Sequence, residues 1–331
     1  MNIQELQAVA RALVAPGKGL LASDESVHTL EKHFDEHGIA KTDENRRAYR
    51  ELLFTAPGVA NYISGAIFFE ETLHQSTADG RSFVSVLREQ GIIPGIKVDL
   101  GTEPLSGAPG ELTVKGIDGL SERLNEYYEL GARFAKWRAV FTISATTPSE
   151  LAIKNNVALL AEYARLCQAA QIVPIVEPEV LMDGNHTIEQ CYEATVKVQT
   201  ALFGALREKG VDLTGLLLKP NMILLGQDSG TASPEVVAEQ TMRCLKTTVP
   251  AEVPGIVFLS GGQADAEAVA NLQAIAVAGA NAPWSMTYSY GRALQTAALA
   301  TWAGKAENVV AAQASYAEQA RQCSLASQGT L

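Results

Sequence analysis

The sequence holds four cysteines in 331 residues, Cys167, Cys191, Cys244 and Cys323, and no two of them form a CxxC pair. That spacing excludes a disulfide framework and a zinc ribbon; because each lies in a helical pattern, the four read as buried thiols of a reducing compartment. No apolar run is long enough to span a bilayer. The N-terminus lacks the basic and apolar regions of a secretory signal, since Gln4 and Glu5 arrive at once and Arg11 interrupts the apolar positions. The cytoplasm is therefore the expected location. No strand-like run leads into a GxGxxG turn, which leaves a dinucleotide fold without support, and neither a GxSxG elbow nor an HExxH helix occurs. The histidines, His28, His33, His37, His74 and His186, form no metal-ligand set; His33 and His37 share a helix face beside Lys32 and Glu36 and read as solvated surface. Positive charge is also scarce. With 26 Lys and Arg against 37 Asp and Glu, the net charge of −11 repels nucleic acid and anionic membranes. An anionic substrate would need a local basic cluster.

What the chain does have is apolar material, 47% of its residues, arranged in short runs. Ile3, Leu6, Val9, Ala10 and Leu13 recur with helical spacing before Pro16-Gly17 breaks the pattern. Then come eight runs of strand length: GLLAS, YISGAIFF, IIPGIKVDL, RFAKWRAVF, IVPIVEPEV, GLLLKPNM, GIVFLSGG and PWSMTYSYG. Each precedes an amphipathic helical stretch. Thr147-Pro148-Ser149-Glu150 predicts a helix start with Thr147 as cap, and Ser233-Pro234-Glu235 is a weaker copy. Continuous apolar strands alternating with helices imply a parallel sheet buried on both faces, and eight repeats suit closure into one (β/α)8 TIM barrel, an α/β fold. An open doubly wound sheet is the alternative. The expected organisation is a single unit over residues 1–331, with a helix before the first strand and a short C-terminal helical region and tail. Residues 101–116 show no periodicity and are expected to form a long surface loop.

Charged residues interrupt these strands near their downstream ends: Lys97 and Asp99, Lys136 and Arg138, Glu177 and Glu179, and Lys219. In a strand, i and i+2 share a face, so each pair can point together into the barrel mouth, where barrel enzymes build their sites. A single pair could be a rim ion pair. The coordinated set, with Asp24 after the first strand, instead places Asp24, Asp99, Glu177 and Glu179 against Lys97, Lys136, Arg138 and Lys219, charges that must neutralise one another or do chemistry. Lys219 follows three leucines, a context that disfavours the ammonium, and a second cation such as Lys136 would add to that effect. A neutral amine is what addition to a carbonyl requires, although a structural ion pair would place a lysine there equally well. Ser260-Gly261-Gly262 ends the seventh run and Ser289-Tyr290-Gly291-Arg292 the eighth. Each precedes a helix whose N-terminal amides could hold phosphate, though tight turns also explain the glycines.

The strings LLASDES, GIKVD, DGLSER, FAKWR, IVPIVEPE, LLLKPNM, FLSGGQ and SYGRALQ, spread over nearly the whole chain, resemble class I fructose-1,6-bisphosphate aldolase in order and spacing. The resemblance implies reversible cleavage of fructose 1,6-bisphosphate to dihydroxyacetone phosphate and glyceraldehyde 3-phosphate through an imine on Lys219, without metal or other cofactor. It implies Glu177 as the acid/base of carbinolamine dehydration, Lys136 as a charge beside the imine, Asp24 in proton transfer at the C3–C4 bond, and Glu179 with Arg138 ordering the network. Ser260, Gly261, Gly291 and Arg292 would hold the ketone-side phosphate, with Ser26 and Lys97 near the other. The implied partners are small sugar phosphates and further copies of the chain in a homotetramer. Thr29 stands where the family often has serine and His33 where it often has arginine. Many animal and plant members also carry a C-terminal extension ending in tyrosine, whereas this sequence stops at Leu331. A transaldolase-like barrel acting on monophosphates, or a non-enzymatic scaffold keeping the fold, are the competing readings. The Glu177/Glu179 pair and two separate phosphate clusters argue against the first, and the filled catalytic positions against the second.

Overall fold

In the computed structural model, which describes residues 2–331, the eight apolar runs are the eight strands of a closed parallel barrel. They are β1 Gly19–Ser23, β2 Ile63–Phe68, β3 Ile93–Lys97, β6 Phe134–Phe141, β7 Val173–Val180, β8 Leu217–Leu218, β9 Gly255–Phe258 and β10 Ser285–Tyr290. The remaining two, β4 Thr102–Pro104 and β5 Leu112–Val114, pair antiparallel outside the barrel. Around the ring the order is β1, β2, β3, β6, β7, β8, β9 and β10, and β10 pairs back onto β1 through Leu20–Ser289 and Leu21–Tyr290. That closure removes the open-sheet alternative.

Strand alternation sorts the side chains. Leu20, Ala22, Ile67, Phe134, Val173, Ile175, Leu217 and Val257 form an apolar cluster together with Leu6, Ala10, Leu13 and Val14. The helix Ile3–Leu13 therefore packs its apolar stripe against residues of one strand phase. The opposite phase, including Leu21, Trp137, Val176, Leu218 and Phe258, packs with the surrounding helices in a second, larger cluster. Continuing the interior phase downstream leads from Ala22 to Asp24, from Phe134 to Lys136 and Arg138, from Ile175 to Glu177 and Glu179, and from Leu217 to Lys219. Apolar residues fill the lower layers and charges begin above them. At Gly95 the missing side chain leaves room for the Phe134 ring, which any Cβ there would strike.

Three local expectations need correction. Residues 101–116 are not a plain loop: they hold the β4–β5 hairpin, anchored by buried Ala108, Glu111 and Val114. Two three-residue strands are too short to show a period. The helix expected to be capped by Thr147 is Glu150–Ala169, and its cap is Ser149, whose hydroxyl accepts from the Ala152 amide while its own amide donates to Glu111 Oε1 at 2.9 Å. The hairpin thus fixes which hydroxyl caps. At the C-terminus the helix Val309–Ser327 runs 19 residues, longer than expected, and buries Tyr316, Ala320 and Cys323. Ser233 does cap Pro234–Thr248 as anticipated, and all four cysteines are buried and free. No described helix is long and apolar enough to cross a membrane.

Candidate active site

At the downstream end of the barrel lies a cavity of about 1010 Å³. All twelve residues singled out for chemistry or phosphate binding line it: Asp24, Ser26, Lys97, Lys136, Arg138, Glu177, Glu179, Lys219, Ser260, Gly261, Gly291 and Arg292. Its centre is a chain of buried charges. Lys219 Nζ lies 3.1 Å from Glu177 Oε1, and Lys136 Nζ lies 3.1 Å from Oε2 of the same carboxylate. Lys136 also reaches Asp24 Oδ2 at 2.8 Å. Because β1 and β7 stand four places apart on an eight-membered ring, Lys136 ties carboxylates from opposite walls. Lys136, Glu177 and Lys219 are each under 5% exposed.

These contacts set the charges. Burial pushes the Asp24 carboxyl up, but Lys136 and Lys219 outweigh it and hold the group down at about 2. Burial likewise opposes charge on Glu177, and Lys136, Lys219 and Arg138 keep it below the usual carboxylate range. For Lys136, burial favours the neutral amine, yet Asp24 and Glu177 hold it firmly protonated. Lys219 departs from expectation in its surroundings. Leu216, Leu217 and Leu218 are fully buried, but the amine itself meets a carboxylate rather than an apolar pocket.

Toward the rim, Arg138 Nε donates to Glu179 Oε2. Lys97 and Lys136 are direct cross-strand neighbours between β3 and β6, and each turns to its own carboxylate. Lys97 Nζ meets Asp99 Oδ1 at 2.7 Å and donates to the Asp99 carbonyl at 2.8 Å. Asp99 Oδ2 accepts in turn from the Arg138 amide at 3.4 Å.

The glycine turns come together on the far side. Gly261 and Gly262 take left-handed φ values of +60° and +89°, where other residues would be strained. A Cβ on Gly262 would sit 3.5 Å from Arg292 Nη2, so the loops after β9 and β10 adjoin. The helices that follow, Asp265–Ala278 and Arg292–Trp302, have no side-chain cap, leaving their first amides for an anion. Lys97 belongs to β3, which stands opposite β9 on the ring. Ser26 follows β1 and lines the same cavity, and its hydroxyl caps Val27–Glu36, accepting from the Thr29 amide. His33 is not plain surface, since it lines the mouth together with Thr29.

Sequence reasoning assigned no role to Ser289, whose buried hydroxyl lines the cavity without a partner. Its alternation with Thr287 was the available sign. Among the described residues no group of three or more His, Cys, Asp or Glu is arranged to hold a metal ion.

A family model described as fructose-bisphosphate aldolase class-I matches residues 5–331. A probable fructose-bisphosphate aldolase class 1 of Xanthomonas campestris is 53% identical over 331 residues, covering 99% of each chain. The cytosolic fructose-bisphosphate aldolase 4 of Arabidopsis thaliana is 53% identical over 326 residues, 98% of this chain and 83% of the relative. Among solved structures, fructose-bisphosphate aldolase from Plasmodium falciparum, in complex with TRAP and a small-molecule inhibitor, superposes with a TM-score of 0.97 at 48% identity, covering 99% of this chain and 95% of that one.

Proposed function

The chain belongs to the class I fructose-bisphosphate aldolase family, and from that premise we propose that its reversible cleavage of fructose 1,6-bisphosphate runs through an imine on Lys219. The observation that carries this assignment is the 3.1 Å contact between Lys219 Nζ and Glu177 Oε1. One proton moving along it converts an ammonium–carboxylate pair into a neutral amine and a carboxylic acid, the nucleophile and the acid that imine formation needs. The amine adds to the substrate ketone, and Glu177 returns the proton to the departing hydroxyl as the carbinolamine loses water. Lys136, held cationic between Asp24 and Glu177, keeps a positive charge beside the imine and orients hydroxyls of the substrate.

Cleavage follows from the protonated C=N. It accepts the electron pair of the C3–C4 bond while ionised Asp24 takes the C4 hydroxyl proton, releasing glyceraldehyde 3-phosphate and leaving an enamine. Protonation at C3 and hydrolysis then release dihydroxyacetone phosphate. The iminium supplies the electron sink, so the reaction is metal-independent. Arg138 and Glu179 order the network at the rim. Ser260, Gly261, Gly291 and Arg292 bind the ketone-side phosphate, while Lys97 reads the other, with Ser26 contributing through the helix it caps. The opposite placement of β3 and β9 supports two separate phosphate sites.

We place the enzyme in the cytoplasm, a reading supported by its cytosolic Arabidopsis relative, and as a homotetramer, an assembly that sedimentation of the purified protein tests. The assignment of Lys219 is tested by borohydride reduction with dihydroxyacetone phosphate followed by peptide mapping.

A further inference from the structure

Arg50 is 2% exposed, and none of the steps above uses it. A buried guanidinium is costly unless paired, and an apolar side chain would fill such space with less penalty. Its partner is Glu25, the residue after Asp24: Arg50 Nη2 lies 3.0 Å from Glu25 Oε2. From the other side Gln295 Nε2 donates to Glu25 Oε1 at 2.9 Å and to the Ala22 carbonyl at 2.9 Å. One amide therefore grips the chain two residues before Asp24 and one residue after it. Gln295 sits one turn along the helix Arg292–Trp302, and Gly291 at that helix start packs so closely that a Cβ would lie 3.2 Å from the Ala22 carbonyl and 3.8 Å from Glu25 Oε1.

We propose that Glu25, clamped between Arg50 and Gln295, is a positioning residue that fixes Asp24 relative to the phosphate clamp at Gly291 and Arg292. The proposal rests on the roles given above to Asp24 and Arg292. Three elements meet at this carboxylate: the end of β1, the helix Asp43–Phe54 carrying Arg50, and the helix that presents Arg292. A substrate anchored by its phosphate meets Asp24 at the correct distance only if these keep register. Misplacing a reacting group by about 1 Å can cost on the order of a hundredfold in rate.

The test separates two steps of the reaction. Glu25→Gln keeps the shape and can still accept from Gln295, but loses the ion pair; Gln295→Ala removes both amide contacts and leaves the Arg50–Glu25 pair intact. In each, turnover of fructose 1,6-bisphosphate should fall about tenfold, while borohydride trapping of dihydroxyacetone phosphate on Lys219, which does not use Asp24, stays within about twofold of the unaltered enzyme. Arg50→Lys should retain more turnover than Arg50→Met. Unchanged turnover in Gln295→Ala, or equal losses of turnover and trapping in both variants, would overturn the proposal. Absence of trapping on Lys219 in the unaltered enzyme would instead overturn the imine assignment on which it rests.

Discussion

Lys219 and Lys136 occupy opposite oxygens of one carboxylate, each 3.1 Å from Glu177. Two ammonium groups share this acid while Asp24 balances the second, so the four-residue core is formally neutral and a proton can shift within it without creating net charge.

The first consequence concerns Lys219. Reduction with borohydride in the presence of dihydroxyacetone phosphate should attach the ligand there, and Lys219→Ala should abolish both labelling and turnover. Mass spectrometry of the labelled peptide reads the outcome; label found only on Lys136 or Lys97 would reassign the imine.

Glu177→Gln preserves volume but cannot relay a proton. Turnover should drop by roughly a hundredfold or more, the usual scale of general acid–base catalysis, with little change in substrate affinity. Near-normal turnover would move the acid/base role to Asp24 or Glu179.

Acid sensitivity follows from Asp24, whose carboxyl is held at about 2 against an ordinary 3.8. A carboxylate depressed by folding stabilises the protein fully above its unfolded value, and that contribution fades as pH falls through the folded one. The window is therefore about pH 4 down to about pH 2. Denaturation of the unaltered protein and Asp24→Asn across that range should show the steeper loss in the unaltered protein. Parallel curves would mean that Lys136 and Lys219 do not hold the charge of Asp24.

The two phosphate sites predict a substrate split. Arg292→Ala should weaken fructose 1,6-bisphosphate and fructose 1-phosphate alike, by the roughly 1.5–3 kcal/mol of a charged hydrogen bond. Lys97→Ala should penalise the bisphosphate selectively. Values of kcat/KM for both substrates decide it, and an equal effect of Lys97→Ala on the two would remove Lys97 from the second phosphate.

An iminium electron sink also implies that chelators leave activity intact. Loss of turnover in EDTA, restored by zinc, would require a different mechanism.

Much of this was legible in the chain alone. Apolar runs separated by helical stretches announce the barrel, and the i, i+2 spacing of Lys136 with Arg138 and of Glu177 with Glu179 places those side chains on one face before any partner is known, because strand geometry alternates regardless of context. Partner choice was not legible. The sequence offers Lys136 four acidic residues, Asp24, Asp99, Glu177 and Glu179, and only ring closure and register bring it to Asp24 and Glu177 while turning Lys97 to Asp99. The carboxylate beside Lys219 was hidden behind three leucines, since a local string shows what precedes a residue and not what faces it. Likewise Ser149 rather than Thr147 caps its helix once Glu111 arrives from the hairpin, and Glu25, Arg50 and Gln295, remote in sequence, meet only in the folded chain. Periodicity is a property of adjacent residues and survives in one dimension; contacts across a closed sheet depend on relative strand placement, which the tertiary structure alone sets.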